Sequence, residues 1–121
     1  VIDHGKAISG ERLIAVYTHT GEFLVKAGDK VKRGMPVAKL PEKILFPCMA
    51  RVRHLHLQIG QQYCEKHEKN TWGCDFYIKD KYSSLNPHLF WADGENIITC
   101  YDEKKKFQEG TITYPFYCKK L

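Results

Sequence analysis

Histidines carry most of the chemical promise in this 121-residue chain. His54 and His56 belong to the run His54-Leu55-His56-Leu57-Gln58-Ile59-Gly60, in which apolar Leu55, Leu57 and Ile59 alternate with His54, His56 and Gln58. Strict alternation predicts a β-strand. Every second side chain of a strand projects to the same face, so the two imidazoles stand together, roughly 6.5–7 Å apart along the backbone. One member of such a pair can ligate a metal while its neighbour handles a proton or faces an oxyanion. The plainer reading is a polar strand face that holds two histidines. His19 closes Tyr17-Thr18-His19, just before Thr20-Gly21, and by the same alternation shares a face with Tyr17. A histidine at a strand end beside a loop is well placed for catalysis. The plainer reading there is a turn histidine. His4 reads as structural, and His67 and His88 read as loop residues.

Several other chemistries lack their motifs. There is no HExxH helix and no GxSxG elbow. No glycine loop of the phosphate-binding kind occurs. Nothing singles out one cysteine as a nucleophile.

The elements that must position these histidines are short. Arg12–His19 is apolar and β-prone, Thr20-Gly21 turns the chain, and Phe23–Val25 is a further strand. Turns are expected at Ala27-Gly28-Asp29 and at Arg33-Gly34, with Pro36–Leu40 a strand after them. Pro41–Arg53 reads as a long loop and His54–Gly60 as the strand just described. Gln61–Thr71 is polar and reads as a loop or helical turn. Strands follow at Asp75–Lys79, Asn96–Asp102 and Thr111–Tyr117. Short strands joined by glycine turns suggest a compact antiparallel barrel or sandwich.

Composition is that of a globular protein, with 43% hydrophobic and 27% charged residues. The longest apolar run, around Leu13–Tyr17, is far below the ~18 residues of a membrane span. Net charge is +5, with small basic clusters at Lys104-Lys105-Lys106 and Lys119-Lys120. A solvated surface accounts for them, and no nucleic-acid-binding motif accompanies them. The five cysteines, Cys48, Cys64, Cys74, Cys100 and Cys118, show no CxxC spacing. Wide irregular spacing suits disulfides in an oxidising compartment, which points to an extracellular or periplasmic protein. With five cysteines, one stands outside any two pairs, and fifteen connectivities remain open. Five reduced, buried thiols are the alternative. The chain opens on Val1 with strand-like residues and no signal peptide, and is expected to be an internal piece of a longer protein.

The order of these features is more informative than any one of them. Val1-Ile2-Asp3-His4-Gly5 comes first, then Tyr17-Thr18-His19. Next is the segment Val25-Lys26-Ala27-Gly28-Asp29-Lys30-Val31-Lys32-Arg33-Gly34-Met35-Pro36-Val37-Ala38, and last His54-Leu55-His56-Leu57. Together they resemble the second half of the lysostaphin-type (LytM-like, LasA-like) zinc metallopeptidase domain. The resemblance covers residues 1–60. It implies a mainly β fold, a compact antiparallel β-sandwich or barrel of the lysostaphin type, with a loop-rich C-terminal extension over residues 61–121. Asn86-Pro87-His88-Leu89-Phe90-Trp91 looks like part of an extension found after this domain in some secreted members.

The resemblance also implies a function. Such a protein is a secreted zinc endopeptidase that cuts peptide cross-links or bridges of bacterial peptidoglycan. His56, the second histidine of the pair, would be a zinc ligand. His54 and His19 would be the catalytic histidines, which position and deprotonate the attacking water and stabilise the tetrahedral oxyanion. The family takes its other two ligands from an HxxxD motif, which this chain lacks ahead of His19, so those ligands are expected upstream of Val1 and these 121 residues alone are expected to be inactive. Where the family often has a small, Gly-rich turn before the histidine pair, this chain has Ala50-Arg51-Val52-Arg53, which puts Arg53 beside the site. The competing reading is a non-catalytic LytM-like module that binds cell wall or regulates another hydrolase. The glycine-containing segment also resembles lipoyl- or biotinyl-carrier domains, but no Met-Lys-Met-like lysine turn occurs.

Overall fold

The computed structural model describes residues 1–45, 49, 51–69, 75–78 and 84–119. These are mainly β, with almost no helix. Strand β1 (Ile2–Lys6) pairs antiparallel with β2 (Arg12–Thr18), and β2 with β3 (His56–Gly60). A separate antiparallel pair is formed by β4 (Tyr63–Lys69) and β5 (Asp75–Ile78), with β5 beside β3. The two-residue β6 (Ser84–Leu85) adds to β3, which completes a sheet in the order β1-β2-β3-β6.

The centre of this sheet follows from its residue types. β2 reads Arg-Leu-Ile-Ala-Val-Tyr-Thr, and Leu13, Ile14, Ala15 and Val16 are all buried. A strand buried on both faces needs such a continuous apolar run. One face carries Leu13, Ala15 and Tyr17, with Ile59 opposite Ala15 and Leu57 opposite Tyr17. Ala7, Phe90, Trp91 and Ile112 close over that face, so residues from both sides of position 60 build one core. Each large side chain so buried contributes about 1.5–3 kcal/mol. The other face carries Ile14, Val16 and Thr18 opposite Gly60, Gln58 and His56. Ile14 and Val16 are buried, while the Thr18–His56 end is open to solvent.

The glycine segment forms a narrow antiparallel ribbon. Gly21 N–H donates to Lys39 O, Lys39 N–H to Glu22 O, and Leu24 N–H to Val37 O. The strands expected at Phe23–Val25 and Pro36–Leu40 reduce to one bridge, Phe23 opposite Ala38. Both expected turns are present. Asp29 N–H donates to Lys26 O while the Asp29 carboxylate accepts from Lys26 N–H, and Met35 N–H donates to Lys32 O. Gly34 takes a left-handed φ of 81°, and the Tyr101 ring lies where a Cβ there would stand.

Residues 86–119 are largely loop, held by specific contacts. The Arg33 guanidinium donates to Thr111 O at 2.9 Å, to Thr111 Oγ1 at 3.2 Å and to Gln108 O at 3.4 Å. It also covers the Phe107 ring at 5.1 Å. Ile8 N–H donates to Gly110 O, and Cys100 is disulfide-bonded to Cys118. Asn86 caps a 3-10 turn at Pro87–Leu89, its side chain accepting from His88 N–H.

Three expectations are corrected here. Gln61–Thr71 is neither a loop nor a helical turn over most of its length: Tyr63–Lys69 is strand β4, and His67 lies on it rather than in a loop. Pairing with β5 sets this strand despite its charged composition. Asn96–Asp102 is not a strand. Asn96 has a left-handed φ of 63°, and the Thr99 hydroxyl donates to Ile97 O and accepts from Asp93 N–H, which competes with a ladder. Thr111–Tyr117 is not a strand either: it pairs through the parallel bridge of Ile112 with Trp91 and through the bond from Tyr114 N–H to Thr99 O, and Pro115 removes a donor beyond them. Asn70, Thr71, Lys79, Cys48 and Cys74, and the centre of the expected Pro41–Arg53 loop at 46–48 and 50, lie outside the described residues.

Candidate functional site

The open end of the β2–β3 pair gathers His19, His54 and His56. The His19 ring is 4.7 Å from that of His54 and 5.9 Å from that of His56, centroid to centroid, both edge-on. His56 is the first residue of β3 and stands opposite Thr18. His19 follows the end of β2, and His54 lies two residues ahead of β3, so the strand expected over His54–Gly60 is shorter and His54 is not on it.

This convergence does not come from simple alternation. His56 is on the Thr18 face, whereas Tyr17 faces Leu57 and the core. Alternation would send His19 to the Tyr17 side. Instead His19 has φ 65°, a left-handed conformation that costs a non-glycine residue about 1 kcal/mol or more. That conformation ends the strand and brings the imidazole to the other two histidines. Strain of this kind clusters at functional sites.

His54 is oriented by its own loop. Its Nδ1 lies 2.7 Å from Val52 O, a group that can only accept. Nδ1 therefore carries the hydrogen, and Nε2 of the neutral ring holds the lone pair. Burial and the neighbouring His54 and His56 charges push His19 below its ordinary pKa. Burial and His54 do the same to His56. Both rings therefore favour the neutral form, which is the form that accepts a proton or ligates a metal.

Two backbone segments brace the histidines from behind. A Cβ at Gly21 would stand 2.9 Å from Pro41 Cα and 3.0 Å from Pro41 N, so the turn after His19 rests directly on the buried Pro41 backbone. On the far side, Arg53 Nη1 donates to Pro41 O and Glu42 O, each at 3.3 Å. Pro41 thus links the residues after His19 to the residue before His54. The guanidinium expected beside the site binds these carbonyls. The bracing roles of Gly21, Pro41 and the Val52 carbonyl were not visible in the sequence. Thr20-Gly21 reads only as a turn, and a backbone carbonyl has no residue-type signature.

The remaining histidines stand apart in role. His4 is on β1, close enough to Arg33 to feel its charge. His88 Nδ1 accepts from Trp91 Nε1–H at 3.0 Å, which ties the 3-10 turn to the core. Among the described residues, no group of three or more His, Cys, Asp or Glu side chains is arranged to hold a metal ion. The three site imidazoles offer donors of the type zinc takes. No family model, curated protein or solved structure matches the chain.

Proposed function

We propose that this chain carries the catalytic-histidine half of a zinc metalloendopeptidase of the lysostaphin type, acting on peptide cross-links or bridges of bacterial peptidoglycan. The single observation behind this reading is the meeting of His19, His54 and His56, with His54 Nδ1–H bonded to Val52 O. Sequence order supports it, since Tyr-x-His, the glycine segment and His-x-His follow one another as in that family. On this reading the sheet belongs to an antiparallel sandwich or barrel, and the protein works outside the cytoplasm, as the Cys100–Cys118 disulfide favours.

His56 would contribute one metal ligand. A His and an Asp of an HxxxD motif, encoded ahead of Val1, would contribute the others. A zinc ion held there would supply Lewis-acid polarisation and would bring the pKa of water to about 7. His54 Nε2, its lone pair fixed by the Val52 bond, takes the proton of the attacking water. Its Nδ1–H stays on Val52 O, so the imidazolium that forms keeps its orientation. His19, edge-on to both rings, faces the oxyanion of the tetrahedral adduct and donates an N–H to it.

The test uses the protein together with its upstream coding sequence. His56→Ala should remove bound zinc and cell-wall lysis together. His54→Ala and His19→Ala should abolish lysis with zinc largely retained. Full zinc and full lysis in His56→Ala would refute the ligand assignment. A wild-type protein with no HxxxD upstream and no lytic activity would leave the non-catalytic binding module in its place.

A further inference from the structure

A second site lies away from the histidines, on the C-terminal extension. A cleft of about 650 Å³ opens beside the Cys100–Cys118 disulfide. That volume falls within the roughly 300–1,000 Å³ range of small-molecule sites. Tyr101 and Tyr117 line it, and each is the immediate chain neighbour of one disulfide cysteine. The disulfide holds the two Cα atoms 5.4 Å apart, so the two tyrosines are carried on backbones that cannot separate.

The two rings differ in a telling way. Tyr101 is fixed. Its ring packs on Gly34, where a Cβ would collide with it, and it stacks on Phe107 at 5.9 Å. Phe107 in turn lies under the Arg33 guanidinium. Tyr117 is 85% exposed, with the Lys119 ammonium 6.0 Å from its ring centroid. Leaving so large a ring in water forgoes its burial energy. Around the two rings stand Asp102, Glu103, Lys105 and Lys119.

That lining selects a ligand class. Two carboxylates and two ammonium groups cancel, so the cleft has no net attraction for a polyanion or a polycation. An open aromatic face offers a flat apolar surface. Charged groups at its edge offer acceptors (Asp102, Glu103) and donors (Lys105, Lys119) for neutral hydroxyl and amide groups. A pyranose ring matches this pairing, with an apolar C–H face and a rim of hydroxyls. We infer that the cleft between Tyr101 and Tyr117 binds a neutral glycan, with one sugar ring stacked on Tyr117 and its hydroxyl rim bonded to Asp102 and Glu103. The choice of an N-acetylhexosamine chain among neutral glycans rests on the cell-wall reading above. The cleft itself does not depend on it.

The experiment is titration of the protein, expressed together with its upstream coding sequence, with chitotetraose, followed by NMR of the tyrosine ring signals and by calorimetry. Chitotetraose should shift Tyr117 and Tyr101 and leave His19, His54 and His56 unmoved. Tyr117→Ala should weaken binding by about tenfold or more, and Tyr117→Phe should restore it, since stacking needs the ring and not the hydroxyl. The exposed Tyr117 side chain makes both variants fold normally, which the unchanged histidine signals would verify. Asp102→Asn with Glu103→Gln should weaken binding again. Absence of binding at millimolar chitotetraose would overturn the inference. So would equal binding by Tyr117→Ala, or ring shifts produced by a zwitterionic peptide or an anionic polymer in place of the sugar. Because neither zinc nor lysis is read out, failure of the peptidase reading leaves this result standing, and failure here leaves the peptidase reading standing.

Discussion

Replacing Gly21 by alanine isolates the brace behind the histidines. Gly21 does not use a left-handed φ, so alanine meets no backbone penalty there. Substitution at such a position ordinarily stabilises a protein by about 0.4–1 kcal/mol, through the unfolded chain. Here the new Cβ would stand 2.9 Å from Pro41 Cα, against 3.4–4 Å for ordinary contact. A separation of roughly 0.5–1 Å must open, and the obstacle is backbone rather than a yielding side-chain tip. Pro41 is buried and its carbonyl is held by Arg53, so the segment after His19 is the one to move. Overpacking of this kind costs about 1–3 kcal/mol. Gly21→Ala should therefore lower Tm by several degrees where the general rule predicts a rise. His19 should also move relative to His54, and catalytic geometry tolerates only about 0.5 Å. On the peptidase reading, lysis should fall by roughly tenfold to a hundredfold. The assay pairs thermal denaturation with an NMR pH titration of His19, whose pKa should return toward its ordinary value as His54 recedes. A Gly21→Ala protein as stable as wild type, with an unchanged His19 titration, would refute the brace.

Other predictions follow from the same contacts. In metal-free protein, His19 and His56 have folded pKa values below the ordinary 6.5, so the unfolded chain binds protons first. Stability should be fully present above pH 6.5 and decline as pH falls through the window below it, and His19→Gln should flatten that slope in denaturant melts. Desolvation and the nearby Arg33 push His4 the same way, so His4→Gln serves as the comparison. Arg33→Ala removes charged hydrogen bonds to Thr111 and should cost about 1.5–3 kcal/mol by chemical denaturation, with Arg33→Lys failing to restore it. Cys100→Ser with Cys118→Ser, which opens a link across 18 residues, should cost about 3 kcal/mol and make the melting temperature insensitive to reductant.

How much of this was legible in the sequence depended on which force set each element. β2 and β3 were readable because burial set them: continuous apolar residues in one, alternation in the other. The turns at Gly28 and Gly34 were readable because their backbone conformation calls for glycine. β4 was missed because its charged residues carry no β signal and its partner supplies the ladder. Thr111–Tyr117 misled for the opposite reason. Its β-prone residues are spent on one bridge, on the bond from Tyr114 N–H to Thr99 O, and on exposed rings. At the site, residue type and order identified the three histidines. Alternation put only His54 with His56 and sent His19 to the Tyr17 face; the meeting of all three rests on the left-handed His19 and on Val52 O, which periodicity does not encode.

The shared core also sets a timetable. Leu13, Ala15 and Ile59 are covered by Phe90, Trp91 and Ile112, which are made long after β3. During synthesis β2 and β3, whose ends the site histidines occupy or adjoin, leave the ribosome with one apolar face bare. Contacts of such long sequence separation form late and slowly, and sheet faces left open meanwhile are prone to aggregate. β3 gains its outer neighbour only when Ser84 and Leu85 arrive. The histidine cluster is therefore expected to take its final form only once the segment through Ile112 has emerged and packed on the sheet. Any piece of this chain that stops before Ile112 should come out of the cell insoluble, whatever its histidines are capable of.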